Sequence, residues 1–205
     1  MPKQHAETVE VRAGTFLADA KPSEYVDQMY ASDRRAQGYV AHLTELWAHN
    51  PEALATLSHA LSLAVGIAGL DVRTRALLTA AGASSIDDSY CSLAWGSKLA
   101  ARVGDDAAAG VLRGDDSGLD ATDQVLADWA RRVTRQPNAI TPADVDRLRQ
   151  VGYADDQIFA ITLFVALRLA YSTVNDALGA APDRELAERA PAAVRDAVSF
   201  GRMPG

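Results

Sequence analysis

The sequence predicts an all-α fold, and two observations carry that prediction. Strand signals are almost absent: β-branched residues are scattered, and no pair of alternating runs flanks an Asn-Gly or Asp-Gly hairpin turn. Helix punctuation, by contrast, is frequent. Cap residues and Pro open stretches whose apolar positions recur at helical spacing, and Gly closes them.

Taken in order, Asn50-Pro51-Glu52 opens the first core helix with a cap, a Pro at the first helical position and an acid facing the helix dipole. Leu54, Leu57, Leu61 and Val65 follow at helical spacing, and Gly69 ends it. Asp71 caps a second helix from Val72 to about Ser84. Asp88 caps a third, Ser89 to Val103, closed by Gly104. Asp120 or Thr122 opens a fourth, with Val125, Leu126, Trp129 and Val133 on one face, ending before Pro137. Thr141-Pro142 starts a fifth, with Val145 and Leu148 inward and Gly152 as its stop. Asp155 caps the longest, Asp156 to Leu178. It is apolar nearly all round, which places it inside a bundle or in a subunit interface. The Gly- and Asp-rich stretches 104–106 and 110–120 read as turns. Residues 1–35 read as an N-terminal arm with a peripheral helix, 36–186 as the helical domain and 187–205 as a C-terminal tail. The charged terminal segments are read as peripheral arms able to wrap a neighbour.

Composition narrows the function. The 205 residues are 48% hydrophobic, enough for a proper core. The net charge of −7, from 27 acidic and 20 basic residues, argues against nucleic acid or an anionic membrane as partner. There is no uninterrupted apolar run of eighteen residues and no apolar signal core near the N-terminus, so a cytoplasmic protein is expected. Lysines are few against many arginines, and Ala and Asp are abundant, as in a high-GC bacterial genome. Cys91 is the single cysteine, which excludes a disulfide within the chain. His5, His42, His49 and His59 have no metal-site spacing with Cys or carboxylates, so neither a metal nor another cofactor is expected.

Three stretches resemble the alkyl hydroperoxidase D / carboxymuconolactone decarboxylase family (AhpD-like proteins). They are Leu46 to Leu54, Val72 to Ala100, and Thr141 to Arg149 with the following Gly152-Tyr153-Ala154-Asp155. The resemblance implies an AhpD-like helical bundle of about six core helices and peripheral terminal segments. It also implies a homo-oligomer (trimer, dimer or hexamer) and a small-molecule pocket beside the cysteine helix. Family members typically carry a Glu, then Cys-x-Tyr-Cys-x-x-x-His. Here only Tyr90 and Cys91 match; Ala76 stands for the Glu, Asp88 for the first Cys and Trp95 for the His.

These departures bear on the chemistry. A dithiol redox cycle needs a second thiol to resolve the sulfenic acid, and one chain has only Cys91. Ala76 and Trp95 also offer no titratable group for proton transfer. Cys91 near a helix N-terminus is either an activated thiol or a small buried apolar residue, and Asp87 and Asp88 oppose its ionisation. Asp88 is a catalytic candidate or simply an N-cap. Tyr90 donates a hydrogen bond into the pocket or packs in the core. Arg75 binds a substrate carboxylate or pairs with Asp71, and Trp95 walls the pocket or stacks on a flat ligand. Asp87 is a substrate-binding candidate with a solvated-loop alternative. Tyr171 and Asn175, four apart among polar residues that include Arg168 and Ser172, line the pocket or knit an oligomer.

The expected functions are therefore three. One is a single-cysteine, thiol-dependent, peroxidase-related oxidoreductase served by an external thiol. Another is a non-redox decarboxylase, isomerase or lyase in the same pocket. The last is a non-catalytic ligand-binding oligomer.

Overall fold

The computed structural model describes residues 14–205. These form α1 (Glu24–Gln37), α2 (His42–Trp47), α3 (Pro51–Ala68), α4 (Val72–Ser84), α5 (Ser89–Val103), α6 (Asp105–Arg113), α7 (Ala121–Arg135), α8 (Pro142–Gln150), α9 (Asp155–Ala177), α10 (Arg184–Arg189) and α11 (Ala192–Ala197), with a 3-10 turn at Pro137–Ala139. No strand occurs among the described residues. His5 and the start of the N-terminal arm lie outside them.

The six helices expected from capping and periodicity are α3, α4, α5, α7, α8 and α9, and their ends fall within a residue or two of the expected ones. Of the two caps proposed for α7, Asp120 serves: its Oδ1 accepts the Asp123 N–H at 2.9 Å. At α9 the expectation needs correction. The cap is Ala154, whose N–H donates to Gln157 Oε1 at 3.0 Å, while Asp155 is already helical and pairs with Arg149 at 2.8 Å.

The stretches 104–106 and 110–120, read as turns, hold the two ends of a core helix, α6. Gly104 adopts φ +93°, which lets the chain turn directly from α5 into α6. Asp105 and Asp106 then face the helix dipole, and Ala108, Ala109, Val111 and Leu112 are buried. The tail is likewise only partly peripheral. Val194 and Ala197 of α11 belong to the main core, where α11 packs on α6 and α5. This approach needs a small residue on α5. A Cβ at Gly96 would sit 2.8 Å from Leu112 Cδ1 and 3.1 Å from Val194 Cγ1.

The most enclosed helix is α4, not α9. Its residues Ala76 to Ala83 are all buried, because short Ala, Gly and Thr side chains let α5, α7 and α9 close on it from several sides. Full burial of Leu77 and Leu78 contributes roughly 1.5–3 kcal/mol each. The long helix α9 buries Ile158, Ile161, Phe164 and Val165 but leaves Phe159 69% exposed. It pairs with α3, whose outer face leaves Leu63 and Ile67 each 53% exposed. By length and composition alone, α3 and α9 would be long and apolar enough to cross a membrane; here they pack on one another within the bundle.

Candidate functional site

The site is built where the N-terminal half of α5 meets the C-terminal half of α9. The chain enters α5 through Asp87, whose φ of +61° is left-handed, a conformation that Asp tolerates better than most residues. That turn sets Asp88 as N-cap, with Oδ1 accepting the Cys91 N–H at 2.8 Å. Asp88 is fully buried, and its Oδ2 has no hydrogen-bond partner among the described residues. Asp87 itself is exposed; its carbonyl touches Gly201 of the tail, where a Cβ would collide.

Cys91, the third residue of α5, is 2% exposed. Two groups of α9 address its sulfur: Arg168 Nη2 donates at 3.3 Å, and Ser172 Oγ lies at 3.7 Å. They are four apart and so share one helix face. Burial nonetheless pushes the thiol up to about 12. The Asp88 carboxylate adds to the rise, and Arg168 opposes it. At neutral pH Cys91 is a thiol.

Tyr90 turns to other partners. Its hydroxyl donates to Asp183 Oδ2, and burial and the Asp183 charge hold the phenol above its ordinary range. Asp183 is 2% exposed and also accepts the His42 N–H at 2.9 Å, with His42 Nδ1 at 3.4 Å. Tyr90, Asp183 and His42 thus form a buried knot linking α5, α2 and the entry to α10.

On α9, Tyr171 stacks on Trp47 with ring centroids 5.0 Å apart and planes 4° from parallel. Trp47 Nε1 donates to Asn175 Oδ1 at 2.9 Å, while the buried Nδ2 of Asn175 has no partner among the described residues. Burial raises the Tyr171 phenol, and the Cys91 sulfur contributes to the rise. One turn away, half-buried Asp176 is raised to about 7, first by burial and then by the Asp88 charge; Arg202 of the tail, 4.0 Å away, opposes this.

Beside this layer lies a cavity of about 200 Å³ lined by Leu61, Ser62, Val65, Arg75, Trp95, Phe164 and Arg168. Trp95 forms one wall. The Lys98 ammonium lies 4.1 Å from its ring centroid and the Arg168 guanidinium 5.1 Å. Arg168 also lies 4.9 Å from the Tyr171 ring. Arg75 Nε donates to the Asp71 carbonyl at 3.2 Å, and its charge adds slightly to the Thr74 hydrogen bonds that chiefly hold the Asp71 carboxyl low. Burial of its head, then Arg168 and Arg75, lower the pKa of Lys98, although the residue as a whole is exposed.

The structure thus divides the sequence candidates. Arg75 and Trp95 line the cavity; Cys91 lies behind Arg168; Asp88 caps the turn before Cys91; Tyr171 and buried Asn175 both engage Trp47; Tyr90 and Asp87 face elsewhere. Lys98 and the Asp183–His42 pair were not among those candidates. Lys98 carries a usable signal, since it is three residues after Trp95 on the same helix. Asp183 carries none, because its partners are 93 and 141 positions away.

Neither a protein-family model nor a curated protein matches the sequence. Solved structures do. The core of an alkylhydroperoxidase AhpD, an uncharacterized peroxidase-related protein from Ralstonia eutropha JMP134, is 17% identical with a TM-score of 0.72; the match covers 95% of this chain and 100% of that one. An uncharacterized peroxidase-related protein from Silicibacter sp. TM1040 is 22% identical with a TM-score of 0.73, covering 88% of this chain and 97% of that one. The chain therefore has the AhpD-like fold.

Proposed function

We propose that this protein binds a small organic molecule in the Trp95 cavity, on a peroxidase-related scaffold that has left thiol redox chemistry behind. One observation carries this reading: Cys91 is a buried neutral thiol without a second cysteine, while an open cavity lies beside it. Among the described residues, no carboxylate, His or Tyr lines that cavity to move a proton, so ligand binding is better supported than a decarboxylase, isomerase or lyase. The polar set Asp88, Tyr90 and Arg75 does not converge on it.

Two measurements test this. Native protein at pH 7.5 is expected to show no thiol reactive toward Ellman's reagent, one after denaturation, and no consumption of cumene hydroperoxide in the presence of dithiothreitol. Rapid native modification with peroxide turnover would defeat the proposal. In parallel, saturation-transfer NMR with flat aromatic fragments should detect binders that Trp95→Ala weakens. No binder, or indifference to Trp95, would remove the cavity from the account.

A thiol-dependent oxidoreductase is the second reading, favoured by the two donors aimed at Cys91 Sγ. Arg168 and Ser172 would stabilise a thiolate if motion relieved its burial. The thiolate would attack the O–O bond of a hydroperoxide, giving a sulfenic acid and, after protonation, an alcohol. An external dithiol would then form a mixed disulfide with loss of water, and its second thiol would release Cys91 and leave as a disulfide.

A second copy of the chain is the cover we assign to the exposed apolar face of α3 and α9, where Leu63, Ile67 and Phe159 stand in solvent. Sedimentation velocity should give an oligomer that Leu63→Glu with Ile67→Glu dissociates. A monomeric parent protein would end this assignment. A cytoplasmic setting belongs to the same proposal and rests on the single cysteine.

A further inference from the structure

We infer that the cavity ligand is a carboxylate with a flat apolar body, its charged end held by Arg168, Lys98 and Arg75 and its body against Trp95. The inference rests on the ligand-binding reading above and adds the ligand's chemical class.

The first support is a charge imbalance at one place. In a chain of net charge −7, several arginines elsewhere are matched to acids. Arg73 meets Asp120 and Asp123, Arg131 meets Asp116, Arg132 meets Asp128 and Asp144, and Arg149 meets Asp146 and Asp155. At the cavity three neighbouring cations gather without such an ion pair. Among the described residues, neither Arg168 nor Lys98 has a carboxylate within ion-pair distance, and Arg75 hydrogen-bonds the Asp71 backbone carbonyl and feels the Asp71 carboxylate without forming an ion pair with it. The three cations are close enough that Arg168 and Arg75 both depress Lys98. Gathering like charges is unfavourable unless an anion enters between them.

The second support is an orphaned donor. Arg168 Nε is buried and has no hydrogen-bond partner among the described residues, although Nη2 is engaged with Cys91. A guanidinium offers its donors in a fixed plane suited to two carboxylate oxygens. The third support is the shape and lining of the space. Trp95, Phe164, Leu61 and Val65 supply apolar surface beside the cations. The volume of about 200 Å³ compares with the roughly 150 Å³ engineered cavity that holds benzene, so one ring with a carboxylate fits. A mostly apolar cavity with a few converging polar groups is the usual form of a small-molecule site.

The test compares benzoate with benzamide, which match in shape and differ in charge, by saturation-transfer NMR titration on the full chain. Benzoate should bind at least about tenfold more tightly at low salt and lose that advantage as salt rises. Lys98→Met, at an exposed residue, and Arg75→Gln should each weaken benzoate about three- to tenfold and leave benzamide unchanged, with unaltered circular dichroism. Equal binding of the two probes would overturn the carboxylate assignment while leaving the binding cavity standing. Failure of both probes to bind would overturn both. Tighter benzoate binding that ignores Lys98→Met and Arg75→Gln would place the anion elsewhere and also overturn the inference.

Discussion

Arg168 Nη2 lies 3.3 Å from the sulfur of Cys91, joining α9 to α5 across 77 positions of sequence. The contact gives Arg168 two neighbourhoods. Its head lies against a buried thiol and two aromatic rings, and it borders the cavity where Arg75 and Lys98 repel it. Its stability balance is therefore close. The ring contacts contribute about 0.5–1 kcal/mol each, while the unpartnered Nε costs about 1–3 kcal/mol.

Arg168→Met is accordingly expected to stabilise the protein, by about 1 kcal/mol or a rise in Tm of roughly 2–4 °C. Met matches the apolar stem and removes the unpaired donor and the repulsion. Benzoate binding should be lost in the same variant. A calorimetric scan showing a lower Tm would mean that the ring contacts outweigh the desolvated charge.

Asp88 has two duties that substitution can separate. Asp88→Ala removes the cap on α5 and should cost about 1–2 kcal/mol in a urea melt. Asp88→Asn keeps an oxygen for the Cys91 N–H but removes the charge that helps raise the Cys91 thiol. The thiol pKa should then fall from about 12, and alkylation by iodoacetamide should begin at lower pH than in the parent. An unchanged pH profile would mean that burial alone holds the thiol neutral.

Tyr90→Phe tests a residue that the sequence places beside Cys91 but the structure ties to Asp183. Losing the phenol leaves a buried carboxylate with only the His42 contacts, so a destabilisation of about 1–3 kcal/mol is expected. Benzoate affinity should not change, because Tyr90 does not line the cavity. A fall in affinity without loss of stability would restore Tyr90 to the site.

The helices were legible because their signals are local. Asn50, Asp71 and Asp88 each accept the backbone N–H three residues on, as their positions before apolar runs suggest. The missed α6 shows the limit, since flanking Gly and Asp mimic a loop while the burial of Val111 and Leu112 comes from α11 and α5. At the site, Arg168 and Ser172 were visible as polar residues in an apolar stretch. The state of Cys91 was not. A helix N-terminus and two acids pull its pKa in opposite directions, and the deciding effect is burial, which is tertiary. Tyr90 illustrates the same point, because its partner is distant in sequence and close only after folding.

The last prediction concerns pH. Asp176 is raised in the folded protein to about 7, from an ordinary value of 3.8, by partial burial and by the charge of Asp88. Between those two values the folded state binds the proton more tightly than the unfolded state. Unfolding then releases protons, so stability falls as pH rises through that window. The contribution is fully present below about 4 and is lost above about 7, the opposite of an acid held low by a salt bridge. Asp176→Asn cannot ionise and should remove this slope, leaving the variant more stable than the parent at pH 8 and close to it at pH 4. The measurement is Tm against pH for both proteins, from pH 4 to 8. The Arg202 contact works against the shift, so Arg202→Gln should steepen the parent's slope. Parallel curves for parent and Asp176→Asn would show that Asp176 ionises as freely in the fold as in the unfolded chain.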